Sequence, residues 1–247
     1  MTELSIVPLD GAINEEPPKN PPPKAVNPKI RAYSPSQVLN KKRVIYPFAD
    51  FMKECFGQPE RTAKWFFTGP SFNGKSSLVF RICAYYSQFT KVDYNNFEEG
   101  ADSQTVADKI NQHGLTDKEG LIKFLKAPIP LFKDRLLRRN SAGVGVIDSV
   151  QHSEMNKHEY IELTDALCNR KRGKTLIFVN HWIKNDLTKF IKHDCDIKVE
   201  VINFVANIQS RYGGNKPYVV WEQEARRLWG KRYNQVIQGR YWPGQKK

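Results

Sequence analysis

The sequence predicts one α/β domain: a mainly parallel β-sheet with helices on both faces. Three observations predict it. Short, nearly continuous apolar segments alternate with longer segments of helical character. A glycine-bearing loop joins the first of those apolar segments to a helix-like stretch. The 247 residues, 40% of them hydrophobic, suffice for one such core and leave little room for a second full domain.

Taken in chain order, residues 1–30 carry Pro17-Pro18, Pro21-Pro22-Pro23 and Pro28 with few large apolar residues, and are expected to be a disordered arm. The basic step Lys41-Lys42-Arg43 precedes the apolar run Val44–Phe48. Lys64-Trp65-Phe66-Phe67-Thr68 is short and aromatic and is expected to be a strand, followed by a helix from Lys75 to about Ser87. Lys91 to Asn95 is a second strand and Asp102 to about His113 a second helix. Gly143–Ile147 is a buried strand that ends at Asp148. A helix is expected from His158 to about Lys171, closed by Gly173, and Thr175–Val179 is the next buried strand. Strand character returns at Lys198–Ile208 and Tyr218–Glu222. The boundaries expected are an arm at 1–30, the main domain at 31–225, and a basic, aromatic C-terminal extension at 226–247.

Composition narrows the partners. The net charge of +13 and pI near 9.5 favour a polyanion, most often nucleic acid. No apolar run reaches the ~20 residues of a membrane span, and the first residues lack the basic-then-apolar pattern of a signal peptide. Cys55, Cys83, Cys168 and Cys195 lie far apart, which fits reduced thiols in the cytoplasm and offers no cysteine framework for zinc.

The loop Gly69-Pro70-Ser71-Phe72-Asn73-Gly74-Lys75-Ser76-Ser77 matches GxxxxGK[ST] between an expected strand and an expected helix. In such a loop the backbone N–H groups point at phosphate oxygens and the helix offers its positive end. Lys75 is expected to reach the β- and γ-phosphates of ATP, and Ser76 to hold Mg²⁺. Phe72 and Asn73 stand where small residues are usual and are expected to alter the shape of the cradle. Asp148, at the end of a strand expected beside the loop's own strand, is the second candidate for the metal. Ser149 follows it, where many ATPases place a glutamate, so the general base must come from elsewhere. Glu98 and Glu99, just past the second strand, are the candidates, with Glu98 preferred. Asn180 and His181 end the next strand, where a polar pair can bond the γ-phosphate or the attacking water.

Past His181 comes a stretch expected to be a loop, with Lys184, Lys189 and Lys192. It either tracks a phosphate backbone or is a solvated charged helix or loop. From Asn207 onward nine Lys or Arg face two Asp or Glu, interleaved with Tyr212, Tyr218, Trp221, Trp229, Tyr233, Tyr241 and Trp242. Base stacking, an oligomer interface and core filling all use such a mixture.

In order and spacing, four stretches resemble the RecA superfamily and within it the RadA/DnaB-like branch of recombination and replicative-helicase ATPases. They are the phosphate loop, Tyr94–Gly100, Val146–Gln151 and Phe178–His181; Gln209–Gly213 resembles the Lys-x-Arg run more weakly. The resemblance spans roughly residues 60–222 and implies a RecA-like P-loop NTPase fold. It also implies a ring or filament in which Glu98 is the catalytic carboxylate, His181 the γ-phosphate sensor and Arg211 the arginine given to the neighbour's nucleotide. Gln209 replaces the usual lysine, and the added domains of RadA and DnaB are missing. Those departures imply a minimal motor of the kind a phage or mobile element carries and count against helicase activity; separately, the expected location is the cytoplasm and the expected partner DNA more than RNA. A viral genome-packaging NTPase, a DNA-binding module switched by ATP and a small-molecule P-loop kinase are the rival readings. Ser149 argues against the packaging enzyme, and no lid segment with arginines supports the kinase.

Overall fold

The computed structural model describes residues 32–169, 173–182 and 185–244. The proline-rich arm expected at 1–30 and Lys184 lie outside them. The chain divides into two units, residues 1–42 and 43–247. Of the first, the described part holds one short helix, α1 (Pro35–Leu39), started by Ser34, whose hydroxyl accepts from the Gln37 N–H while the Gln37 side chain accepts from Ser34.

The second unit begins with α2 (Asp50–Phe56) and is organised on eight strands: β1 (Lys64–Thr68), β2 (Val92–Asn96), β3 (Ile122–Leu125), β4 (Val144–Asp148), β5 (Thr175–Val179), β6 (Ile197–Ile202), β7 (Val205–Ser210) and β8 (Tyr218–Val219). Their order is β3-β2-β4-β5-β1-β6-β7-β8. The first six are parallel, and β7 and β8 add antiparallel pairs at one edge. Between the strands run α3 (Lys75–Tyr86), α4 (Gln104–Gln112), α5 (Ile129–Leu137), α6 (Lys157–Leu167) and α7 (Asp186–Asp194), with α8 (Glu222–Trp229) and α9 (Tyr233–Ile237) after the sheet.

Strand alternation gives the sheet two apolar faces. Trp65 and Phe67 of β1 join Leu78, Val79, Ile82 and Tyr86 of α3 on one side. Phe66, Ile147, Leu176 and Phe178 meet α5 and α6 on the other. Covering both faces of a parallel sheet explains why the central strands read as unbroken apolar runs.

Several expectations need correction. The strand ending at Asp148 is not beside β1, because β5 lies between them and pairs with both. The stretch expected as a basic loop is largely helix: α7 begins at a capping box in which Asn185 and Thr188 bond each other's backbone N–H. α6 stops at Leu167 with Cys168 as its cap, well before Gly173. Strand character at Tyr218 lasts two residues, and a helix takes over at Glu222. The Lys198–Ile208 region is a hairpin, turned at Asn203 and Phe204. Of the readings left open for the C-terminal aromatics, core filling holds for Trp229, Tyr233 and Trp242, which are buried against Ile202 and Val205.

Candidate active site

The parallel register sets the site. Asn96 of β2 lies opposite Asp148 of β4, Asp148 opposite Val179 of β5, and Val179 opposite Phe67 of β1. The loops leaving these four strands therefore emerge side by side at one edge of the sheet, the edge on which ligands bind in open α/β folds.

The glycine loop leaves β1 there. Gly69 has φ +148°, and a Cβ on it would sit 2.0 Å from the Val201 carbonyl oxygen, so only glycine fits. Gly74, at φ +91°, abuts the Phe204 ring and caps α3. Asn73 settles its own unusual presence. Its Nδ2 donates to the Ser71 carbonyl at 2.8 Å, and its Oδ1 accepts from the Asn203 N–H at 2.6 Å, tying the loop to the β6–β7 turn. Phe72, at φ +60°, projects into solvent, 96% exposed, and leaves the cradle open. Among the described residues, the N–H groups of Ser71, Phe72, Asn73 and Gly74 donate to no backbone carbonyl. These donors, the start of α3 and a buried lysine fit a chain of phosphates.

Lys75 is turned back on the loop, its Nζ donating to the carbonyls of Gly69 at 2.9 Å and Pro70 at 2.7 Å. Burial lowers its pKa, while the charges of Asp148 and Glu98 oppose that shift. Asp148 is buried at the end of β4 and accepts a short hydrogen bond from the Tyr94 hydroxyl. Burial raises its carboxyl above the ordinary aspartate range, against the pull of that bond. The Asp148 charge reaches Lys75, the first residue of α3, and Ser76 follows Lys75 in that helix. Ser76 and Asp148 are the residues that could hold Mg²⁺, whose ligands are oxygens. The Asp148–Ser149 peptide is cis.

The two glutamates part company. Glu98 Oε2 lies 2.9 Å from His181 Nε2, and His181 Nδ1 lies 3.3 Å from the Ser71 hydroxyl. A neutral imidazole satisfies both contacts, with Ser71 donating to Nδ1 and Nε2–H donating to Glu98. Glu99 turns away: both its oxygens accept from Lys109 of α4 at 2.9 Å. A line of polar groups therefore runs from the phosphate loop through His181 to Glu98.

No protein-family model matches the chain, and a search of curated proteins gives no match. Among solved structures, the flagellar accessory protein FlaH from Methanocaldococcus jannaschii superposes with a TM-score of 0.52 at 15% identity, over 69% of this chain and 88% of that one. An ATPase of the type III secretion system of pathogenic bacteria gives 0.44 at 10% identity, over 62% of this chain and 55% of that one. The fold is RecA-like. In its sheet, β5 is inserted between the strand of the phosphate loop and the strand of Asp148.

Within this RecA-like frame, other expected residues sit apart. Arg211 follows β7, pairs with Asp196 at 2.9 Å, and is at the opposite end of the sheet from its own phosphate loop, because Asp196 precedes β6. Lys189 pairs with Asp186 at 3.1 Å. Lys192 borders a cleft of about 400 Å³ with Trp182, Lys198 and Glu200. Two features escaped sequence reasoning. His152, four residues past Asp148, has its ring 6.1 Å from that of His181. At the foot of the sheet, Lys91, Lys123, Arg135, Arg138 and Arg139 line one cleft whose only acid among the described residues, Asp93, is bound by Arg135 at 2.8 and 3.1 Å. Arg138 and Arg139 also line the next cleft, with Arg61 and Lys174. No short motif marks either feature, since β2, β3 and α5 bring the cations together.

Proposed function

We propose that this chain hydrolyses ATP as a RecA-like motor on nucleic acid, assembled as a ring or filament in the manner of the RadA/DnaB-like branch. The observation that carries the reading is the contact series Ser71–His181–Glu98 beside Lys75, with Glu99 diverted to Lys109. Glu98 accepts a proton from the attacking water, oriented by the His181 N–H. Ser71 is the loop residue in contact with His181, so phosphates entering the cradle would alter His181 and, through it, Glu98. Lys75 leaves the Gly69 and Pro70 carbonyls for the phosphates. Bound Mg²⁺ would neutralise phosphate charge. Arg211 acts on the neighbour's nucleotide, since it lies at the far end of the sheet from its own.

Net charge and the basic clefts around Arg138 and Arg139 support nucleic acid as the partner. Lys192 is a second point of phosphate contact, and Lys189 joins it once free of Asp186. The test is ATP turnover with and without single-stranded DNA, beside native mass with ATP and an oligonucleotide. DNA-stimulated turnover in an oligomer is the expected result. Turnover indifferent to DNA in a chain that stays monomeric would refute the motor.

A further inference from the structure

The geometry points to a transition-metal site of the zinc type at the mouth of the phosphate cradle, formed by Glu98, His152 and His181, whose occupation arrests hydrolysis. One ligand atom from each of the three lies within 4.8 Å of the others. Two imidazoles and one carboxylate, with a position left open, form a donor set zinc accepts, and imidazole nitrogen favours such an ion over Mg²⁺.

The fold supplies these ligands from three adjacent strand ends. Glu98 comes two residues after Asn96, His181 two after Val179, and His152 four after Asp148, on strands in matching register. Both rings are held from behind in the same way. The Ser149 hydroxyl lies 2.7 Å from His152 Nδ1, as that of Ser71 lies 3.3 Å from His181 Nδ1. Each imidazole has Nδ1 beside a serine hydroxyl; with Nδ1–H donating to that oxygen, a tautomer shift at His181 releases Nε2 from Glu98 for the metal, the arrangement by which outer hydrogen bonds orient metal-bound histidines. Glu98 Oε2 and His181 Nε2 are already 2.9 Å apart. Ligands at about 2.0–2.2 Å from a tetrahedral ion stand about 3.4 Å from each other. The Glu98–His181 pair would open by about 0.5 Å to reach that spacing, and the exposed Glu98 and His152 side chains leave room to adjust. The charge of Glu98 acts on Lys75, and the ammonium of Lys75 is a cation that a metal here would have to tolerate.

A metal held here occupies the carboxylate that would take the proton from water and the imidazole that orients it. Arrest of turnover therefore rests on the function proposed above, whereas binding of the metal does not. The test uses the full chain, free of metal and nucleotide, titrated with Zn²⁺ by calorimetry and with Co²⁺ by visible absorption. One ion per chain is expected, with affinity reduced about 100-fold or more by His152→Ala and by Glu98→Gln, and unchanged by His158→Ala on the exposed start of α6. Circular dichroism and a thermal melt establish that each variant is folded. Binding that His152→Ala and Glu98→Gln leave intact, or no binding at all, overturns the site. In ATP turnover, each variant normalised to its own zinc-free rate, the Zn²⁺ midpoint should move with His152→Ala by the same factor as the affinity. Zinc that binds at these residues without slowing turnover overturns the arrest. A chain that binds zinc as expected yet turns over no ATP keeps the site and refutes the ATPase reading instead.

Discussion

Replacing Glu98 by glutamine tests the centre of the mechanism, because the structure separates it from its neighbour. Gln keeps the shape and can still accept the His181 Nε2–H bond now made at 2.9 Å, so the line from Ser71 should survive while the proton acceptor is lost. A positioned general base contributes about 10²- to 10⁴-fold. At about 1.4 kcal/mol per tenfold, that raises the barrier by about 3–5 kcal/mol. ATP affinity should hold or tighten, by less than about fivefold, because a partly exposed negative charge near Lys75 has been removed. Glu99→Gln is the internal control. It breaks the Lys109 ion pair, which costs about 0.5–1 kcal/mol of stability for a partly exposed pair, and should leave kcat within about threefold. The assays are phosphate release at saturating ATP and equilibrium binding of a fluorescent ATP analogue. If the Glu98→Gln chain keeps more than about a tenth of kcat, or Glu99→Gln loses as much, Glu98 is not the base.

Gly69→Ala places a Cβ 2.0 Å from the Val201 carbonyl oxygen at a φ of +148°, and should cost about 2–4 kcal/mol in chemical denaturation. Gly74→Ala meets the movable Phe204 ring at 2.9 Å and should cost less. Asp148 has its pKa raised by burial, so its contribution to stability is present below the ordinary aspartate value and is lost as pH rises through the folded one. Asp148→Asn should flatten that decline and raise the Tm of the nucleotide-free chain at neutral pH, while removing the stabilisation by ATP that depends on Mg²⁺. A thermal melt series across pH checks both effects. Arg138→Glu with Arg139→Glu should weaken single-stranded DNA binding more than tenfold and reduce the slope of log K against log salt by about 1.4, or about 0.7 per phosphate contact. An unchanged slope would remove these arginines from the interface.

How much of this was legible in the sequence depends on how local each feature is. The glycine loop declares itself, because β1, the turn and α3 are consecutive in the chain. β5 reads correctly from Thr175 to Val179 because a strand buried on both faces needs no partner to be recognised. Pairing order is not local. Asp148 could be placed at a strand end, but nothing near it shows that β5 intervenes before β1. The choice between Glu98 and Glu99 likewise depends on Lys109, ten residues on, arriving from α4. α7 carries a local signal, a capping box of Asn185 and Thr188 with Leu187, Phe190 and Ile191 at helical spacing, which the surrounding lysines mask. The C-terminal aromatics were ambiguous for a physical reason. Trp229, Tyr233 and Trp242 close over the end of the β6–β7 hairpin, and which face a tryptophan serves is decided by what packs on it.

Arg211 carries the strongest consequence for assembly. It leaves β7 beside Asp196, at the opposite end of the strands from Gly69–Ser76, so no side-chain rotation brings it to its own phosphates. The ion pair does not preclude a role in the neighbour. The Arg211 side chain is 63% exposed, and a pair of that kind is worth about 0–1 kcal/mol. An arginine given across an interface is worth about 10³- to 10⁵-fold in turnover, which is several times larger. Arg211→Ala and Lys75→Ala should each abolish turnover alone, the first by lacking the donated arginine and the second by lacking the phosphate contact. Mixed in equal amounts and allowed to assemble, they should regain activity. In about a quarter of the interfaces an intact cradle from the Arg211→Ala chain faces an intact arginine from the Lys75→Ala chain. Recovery that grows with mixing and peaks near equal proportions would place the arginine in trans. A mixture no more active than its parts, with native mass showing that the chains have co-assembled, would refute donation of Arg211 to the neighbour's nucleotide.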